Sequence, residues 1–364
     1  MISKLTNGLC AVAALAFFGC PAVNAQQTKI LKAEKHNEYG LIYSLPSTAL
    51  EIEVTAVKQT FKGGPYYQYA KKYVGTDKVI MEDSDLWSIE SVKITPYGVA
   101  DPESEYLMQL KPGALTYIGV ADDGMLLSIN TEPEALPKRK NVTQNEEVVA
   151  PTGKEYLQYV GEDFIAAQSS FKQAQMLAEE LMEIREAKRD LTRGTAETMP
   201  TDGKQLELML NSLAQEETAL MQAFTGSETR CRITRSFTYL PSEEGKNVLF
   251  RLSDFDGFVA ADDYSGEPVY INVKVTNEGE LPTDDKGEAK KMPKDAVAYC
   301  IPGTAEISLS FNGKNIYSKE FQFAQFGVVF GLNPAIFTDK KDPSCAVFDP
   351  ITGNVKEIKS MKKE

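Results

Sequence analysis

Apolar residues in the middle of the chain recur three and four apart: Phe164, Ala167, Phe171, Ala174, Leu177, Leu181, Ile184, Ala187 and Leu191. That spacing places them on one stripe of a helix, with Gln168, Lys172, Glu179, Glu183, Arg185 and Lys188 on its other faces. Gly194 is placed to end it. A second stripe runs through Leu206, Met209, Leu210, Leu213, Leu220 and Phe224, with Thr201 or Asp202 as its cap and Gly226 as its stop. Between the stripes, Met199-Pro200-Thr201-Asp202-Gly203 is a breaker cluster. So short a connection predicts a long antiparallel helical hairpin, roughly 45 Å in its first arm. Glu217 stands on the second stripe where an apolar residue is expected, and reads as the point where the seam frays or turns to solvent.

On both sides of residues 161–227 the pattern shortens to alternation or to β-branched runs. Residues 39–46 and 50–57 read as two strands parted by a turn at Pro46. Strands at 86–94, 105–110, 115–120 and 125–129 follow, the last entered through Asp122-Asp123-Gly124. Beyond the helices, strands are predicted at 229–240, 247–252, 269–275, 296–301, 305–311, 315–323 and 327–330. The fold class is therefore α+β: two β-rich, sandwich-like domains joined by the hairpin. The expected order is a signal peptide (1–25), a polar lead (26–38), a first β domain (39–132), a linker (133–160), the hairpin (161–227), a second β domain (228–355) and a charged tail (356–364). Tyr43-Ser-Leu-Pro-Ser47 resembles Thr238-Tyr-Leu-Pro-Ser242, and Pro112-Gly113 and Pro302-Gly303 follow at similar offsets. Asp123-Gly124 and Asn312-Gly313 then suit hairpin turns. These landmarks suggest diverged copies of one module, which equal strand order would support.

Lys4, the apolar run Leu9–Phe18 and the small residues Val23-Asn24-Ala25 make an export signal cleaved before Gln26. Lipoprotein processing at Cys20 is the rival. Loss of Lys4 takes the formal charge from −13 to −14. Such acidity argues against nucleic acid, whose phosphates need a basic surface. No later run is long and apolar enough for a membrane span. Cys231, Cys300 and Cys345 remain after cleavage, as free thiols or as one disulfide and a spare, with the pairing open.

Concentrated chemistry is scarce. His36 is the sole histidine and lies in the polar lead, which leaves histidine-based catalysis and histidine metal sites without material. No phosphate-binding glycine motif occurs, and no cofactor is expected. Asp254, Asp256, Asp262 and Asp263 collect oxygen ligands near turn glycines and are weak calcium candidates; a solvated loop is the plainer account. Tyr66, Tyr69 and Tyr73 fall on one face of a short helix opened by Pro65. With Trp87 they are the aromatic candidates for a sugar platform, against the expectation that the tyrosines cover a sheet edge and Trp87 sits in a strand. Two carboxylates across a cleft would serve glycoside hydrolysis, but nothing selects a pair.

Tyr39-Gly-Leu-Ile-Tyr-Ser-Leu-Pro-Ser-Thr48, Tyr69-Ala-Lys-Lys-Tyr-Val-Gly75, Pro200-Thr-Asp-Gly203 with Leu206, Ala223-Phe-Thr-Gly226, Gly266-Glu-Pro268 and Ala324-Gln-Phe-Gly327 resemble the domain-of-unknown-function 4831 family, secreted proteins of Bacteroidota. The resemblance covers about residues 38–350. It implies export in a Gram-negative anaerobe of gut type, and its motifs are turns, caps and packing residues that carry over no active site. The expected role is thus a non-catalytic binding or assembly module, in the periplasm or at the outer membrane. Its partner would be a protein or glycan of the cell envelope. The alternatives are a carboxylate-dependent glycan hydrolase and an oligosaccharide-binding protein.

Overall fold

A computed structural model describes residues 40–109, 117–136, 143–146, 148–149, 151–339 and 341–361. The expected signal segment, Cys20, His36 and Pro112-Gly113 lie outside the described residues. In chain order the elements are β1 (Gly40–Lys62), α1 (Ala70–Tyr73), β2 (Ser84–Gln109), β3 (Ile118–Val120), β4 (Leu126–Ile129) and β5 (Gln144–Asn145). The helices α2 (Glu162–Ala166), α3 (Ser170–Arg193) and α4 (Gly203–Thr225) follow. Next come β6 (Ser227–Tyr239), β7 (Gly245–Ser253), β8 (Gly257–Val259), β9 (Glu267–Asn277), β10 (Val297–Phe311) and β11 (Lys314–Leu332). A short α5 (Ala335–Thr338), β12 (Ser344–Phe348) and β13 (Val355–Ser360) close the chain.

Several expected breaks are bulges inside long strands. β1 runs through Pro46 for 23 residues, with a register shift between Ser44 and Pro46. β10 continues through Pro302 with a shift between Ile301 and Gly303, and β11 continues through Gly327. Proline is tolerated where its missing N–H faces no ladder: β6 pairs with β1 only from Leu50 onward, so Pro46 lies past its end. Gly303 serves close approach, because a Cβ there would collide with the carbonyl of Phe326. The expected charged tail is also largely strand, since β13 pairs along β12 from Ser344↔Ser360 to Phe348↔Val355.

The chain is β-rich with helices, an α+β protein, but its strands do not sort into a domain before the helices and a domain after them. β6 pairs with β1 over thirteen positions, from Leu50↔Tyr239 to Lys62↔Ser227. β12 pairs with β4. Residues Tyr39–Glu364 accordingly form one compact unit. Among the described residues three sheets result, ordered β2-β1-β6-β5, β11-β10-β9-β7-β8 and β13-β12-β4-β3. The suggested duplication fails on the same evidence. Pro46 lies within a strand whereas Pro241 follows one, and the two halves have different strand orders.

The first two sheets face each other across the main core. Leu50, Ile52, Val54 and Ile94 meet Phe250, Ile271, Ile307, Leu309 and Phe323, all buried. At about 25 cal/mol per Å², each such side chain stabilises the fold by about 1.5–3 kcal/mol. A second cluster, with Tyr43, Leu126, Ile129 and Phe348, ties the third sheet to the upper part of β1. There the Tyr43 hydroxyl donates to Ala298 O at 3.2 Å and accepts from Ala298 N at 2.7 Å, and burial pushes its phenol above the ordinary range.

Gly194 ends α3 in the left-handed conformation at φ +72°, and the Asp202 carboxylate accepts Gln205 N at 2.8 Å to start α4. The first stripe is interrupted at residues 167–169. Gln173 Nε2 donates to Ala167 O at 3.0 Å and Phe164 O at 3.3 Å, satisfying carbonyls that a continuous helix would have bonded. Glu217 does not mark a frayed seam. It accepts from Arg185 Nε at 2.8 Å and Lys188 Nζ at 2.6 Å across the helix pair, and these two bonds, Lys188 first, hold its carboxyl below the usual range. A folded-state value below the unfolded one gives stability that is present above about pH 4.3 and lost as pH falls through the folded value. Glu217→Gln is expected to lower stability by about 0.5–1 kcal/mol at pH 7, because the groups are part-exposed and screened. The deficit should shrink as pH falls through the folded value in parallel thermal melts; a deficit that does not change with pH would contradict this account.

Candidate functional site

The structure separates the sequence candidates into two groups. Tyr66, Tyr69 and Tyr73 do not cover a sheet edge; they pack into the helical core. Tyr66 is buried edge-to-face against Tyr156 at 5.9 Å, and its hydroxyl donates to Gln173 Oε1 at 3.1 Å. Burial, then the adjacent Tyr156, raise its phenol. Tyr69 and Tyr73 meet Phe171 at 6.0 and 6.4 Å. Tyr156 comes from the expected linker, whose residues Glu155–Tyr159 form a turn of this core. Rings engaged in this way form the core of the helix pair.

Trp87 and the four aspartates lie at the other place, where β8, β7 and β9 run side by side. β7 ends at Ser253, the turn 254–256 follows, and Ser253 pairs with Gly257 to open β8. Three features fix that turn. The buried Ser253 hydroxyl accepts Phe255 N at 3.3 Å and Asp256 N at 3.4 Å. Trp87 Nε1 donates to Asp254 O at 3.1 Å. Gly257 has φ +72° and lies flat under the indole, where an added Cβ would come within 2.5 Å of the ring. Trp87 itself is nearly buried, among Ala56 and Leu252, so it supports the turn from beneath and presents no face to a ligand.

The second loop, residues 260–266, leaves β8 on one side of β7 and enters β9 on the other. Arg251 holds this crossing. Its Nε donates to Ala261 O at 2.9 Å, its Nη1 to Gly266 O at 3.1 Å, and its guanidinium lies 4.6 Å from the centroid of the Tyr264 ring. Asp263 accepts Ser265 N at 2.9 Å, and that backbone bond, with Ser265 Oγ and Arg251 behind it, lowers its carboxyl. The weak calcium assignment is not supported. Among the described residues no three His, Cys, Asp or Glu side chains are grouped to hold a metal ion, since Asp263 serves its own loop while Asp254 and Asp256 point from a different turn.

What sequence reasoning missed are the two rings these loops present. Phe255 is 87% exposed and Tyr264 85%; of the large apolar side chains described, only Val149 is more so. The available signal was an aromatic set among turn-formers, Asp254-Phe-Asp-Gly257 and Asp262-Asp-Tyr-Ser-Gly266, where no alternation calls for one.

Among the described residues the carboxylates offer no comparable constellation. A shallow depression of about 710 Å³ on the outer face of the first sheet contains Glu90, Glu146 and Arg232. Glu90 accepts from Arg232 Nε at 2.8 Å and Nη2 at 3.1 Å, which lowers its carboxyl, the opposite of what a general acid needs. Glu180 is raised, first by burial and then by Glu183 and Glu216, a like-charge crowding along the helix pair.

All three described cysteines are free thiols. Cys300 is buried, and burial pushes its thiol up to about 12. Iodoacetamide at pH 8 is expected to leave Cys300 unmodified in the native protein and to label it after unfolding, read by peptide mass spectrometry. Native labelling of Cys300 as fast as Cys231 or Cys345 would contradict the burial.

Fold and site together define a β-rich protein in which two loops beside β7 present exposed aromatic rings. Its family profile, Domain of unknown function (DUF4831), matches residues 39–356, and the chain belongs to that family. No curated protein and no solved structure matches it.

Proposed function

We propose that the chain is a non-catalytic binding module of a bacterial cell envelope, exported by the signal in its first 25 residues and acting in the periplasm or at the outer membrane. The observation that carries the binding role is the pair of solvent-facing rings Phe255 and Tyr264, on a turn and a loop held by Ser253 and Arg251. Exposed aromatics on loops held by a rigid scaffold are what recognition surfaces use, whereas packing alone would turn them inward. Export is supported by the charged, apolar and small-residue sequence of the leader.

Two measurements test this together. Terminal sequencing of the protein from fractionated native cells should give Gln26 at the start of an envelope-associated chain; recovery of an uncleaved chain from the cytoplasm would end the export reading. Tagged protein should retain envelope material on a column, and retention should fall when both rings are replaced by alanine. Equal retention by the doubly substituted protein would end the role of these loops.

A further inference from the structure

We infer that the ring faces of Tyr264 and Phe255 form a stacking platform for a neutral, hydroxyl-rich saccharide chain. This deepens the binding-module reading and rests on it. One face of Tyr264 is taken by the Arg251 guanidinium, and the ring remains 85% exposed, so its other face is open to water. Arg251 is itself committed to two backbone carbonyls, so the ring is held in place before any ligand arrives. Phe255 projects from a turn whose backbone is fixed by Ser253, Trp87 and Gly257. Preorganisation of this kind removes part of the ordering cost of binding. The negative face of an aromatic ring attracts the weakly positive C–H face of a pyranose.

The neighbouring polar groups suit hydroxyl donors. The structure gives the carboxylates of Asp254, Asp256 and Asp262 no hydrogen-bond or ion-pair partner among the described residues, which leaves their oxygens as acceptors. The same aspartates oppose polyanions: phosphate headgroups, nucleic acid and sulfated or uronate glycans would meet like charge, and the nearby cation Arg251 is already engaged. Area favours a saccharide over a protein. Two aromatic side chains supply about 300–500 Å², below the roughly 800 Å² per partner of a stable protein interface.

The test is electrophoresis of the full mature chain through native gels containing laminarin, yeast mannan, soluble starch or arabinoxylan, with polygalacturonate as the anionic comparison. Retardation by at least one neutral polysaccharide is expected. Tyr264→Ala and Phe255→Ala should each weaken it at least tenfold, while Tyr264→Phe, which keeps the ring, should retain it. Unchanged circular dichroism and melting of the variants will separate lost binding from lost folding. No retardation by any of the four neutral gels, equal retardation of wild type and both alanine variants, or retardation by polygalacturonate alone overturns the assignment. Retained capture of envelope material by the wild type but not the double alanine variant, without retardation in any neutral gel, removes the saccharide and leaves the binding role standing. Loss of both removes both.

Discussion

Trp87→Ala is expected to lower the unfolding free energy by about 3–5 kcal/mol, the range for truncating a buried indole. Three losses combine. The ring leaves a void between Ala56, Leu252 and Phe258, where it is now nearly buried. The carbonyl of Asp254 loses its donor. The turn beyond it loses the surface on which Gly257 rests. Trp87→Phe keeps most of the apolar area but not the N–H and should cost about 1–2 kcal/mol. Urea denaturation followed by circular dichroism measures both, since the chain's sole tryptophan is the residue removed. A loss below about 1 kcal/mol for the alanine variant would show that the indole does not anchor this end of the sandwich. The variant also bears on function. If Phe255 is presented by this support, binding should weaken in Trp87→Ala although the ring that meets the ligand is intact.

How far the sequence reaches depends on how local each signal is. The caps at Gly194 and Asp202 were legible because a helix end is decided within one turn of chain. Strand positions were legible from alternation, but the strands' continuity through Pro46, Pro302 and Gly327 was not. Proline and glycine mark turns when read alone, and become bulges or close approaches only when a partner strand sets the register. The same limit explains Glu217. On its own helix it is a flaw in a stripe; beside Arg185 and Lys188 it is an ion pair. The short Tyr66–Tyr73 helical segment was visible, but its seat against the helix pair was not, since distant residues such as Tyr156 and Phe224 build that seat. Two-domain order failed for a topological reason: β6 returns to β1 across the 164 positions that lie between Lys62 and Ser227, and pattern says nothing of such a return. The aromatic loops were hardest, because an exposed ring has no period to betray it.

Segments far apart in the chain have a physical meaning of the same kind, which Gln325 tests. Tyr43-Ser-Leu-Pro-Ser-Thr48, Tyr239-Leu-Pro241 and Ala324-Gln-Phe-Gly327 lie far apart in the chain yet meet at one junction. The Gln325 amide oxygen accepts Thr48 N at 2.9 Å, and its nitrogen donates to Thr48 O and Pro241 O, each at 2.9 Å. Thr48 Oγ1 donates to Ile351 O at 2.9 Å and accepts from Ala324 N at 3.0 Å. One side chain thus stands in for a strand where β6 has ended and β1 has not. Gln325→Ala should cost about 2–4 kcal/mol, because it orphans one donor and two acceptors in a half-buried site. Gln325→Glu keeps the acceptor and aims a carboxylate oxygen at two carbonyls, so it should lose about 3 kcal/mol at pH 7. Its protonated form can donate once, which places the folded-state value above the unfolded value of about 4.3. A raised value means the folded state binds the proton more tightly, so the deficit against wild type is full above that folded value and shrinks as pH falls through it. Chemical denaturation of wild type and both variants at pH 7 and pH 4 decides the matter. A Gln325→Glu deficit that does not change with pH, or a Gln325→Ala loss under about 0.5 kcal/mol, would mean that the geometry of the junction comes from packing of the glycines and prolines and not from this amide.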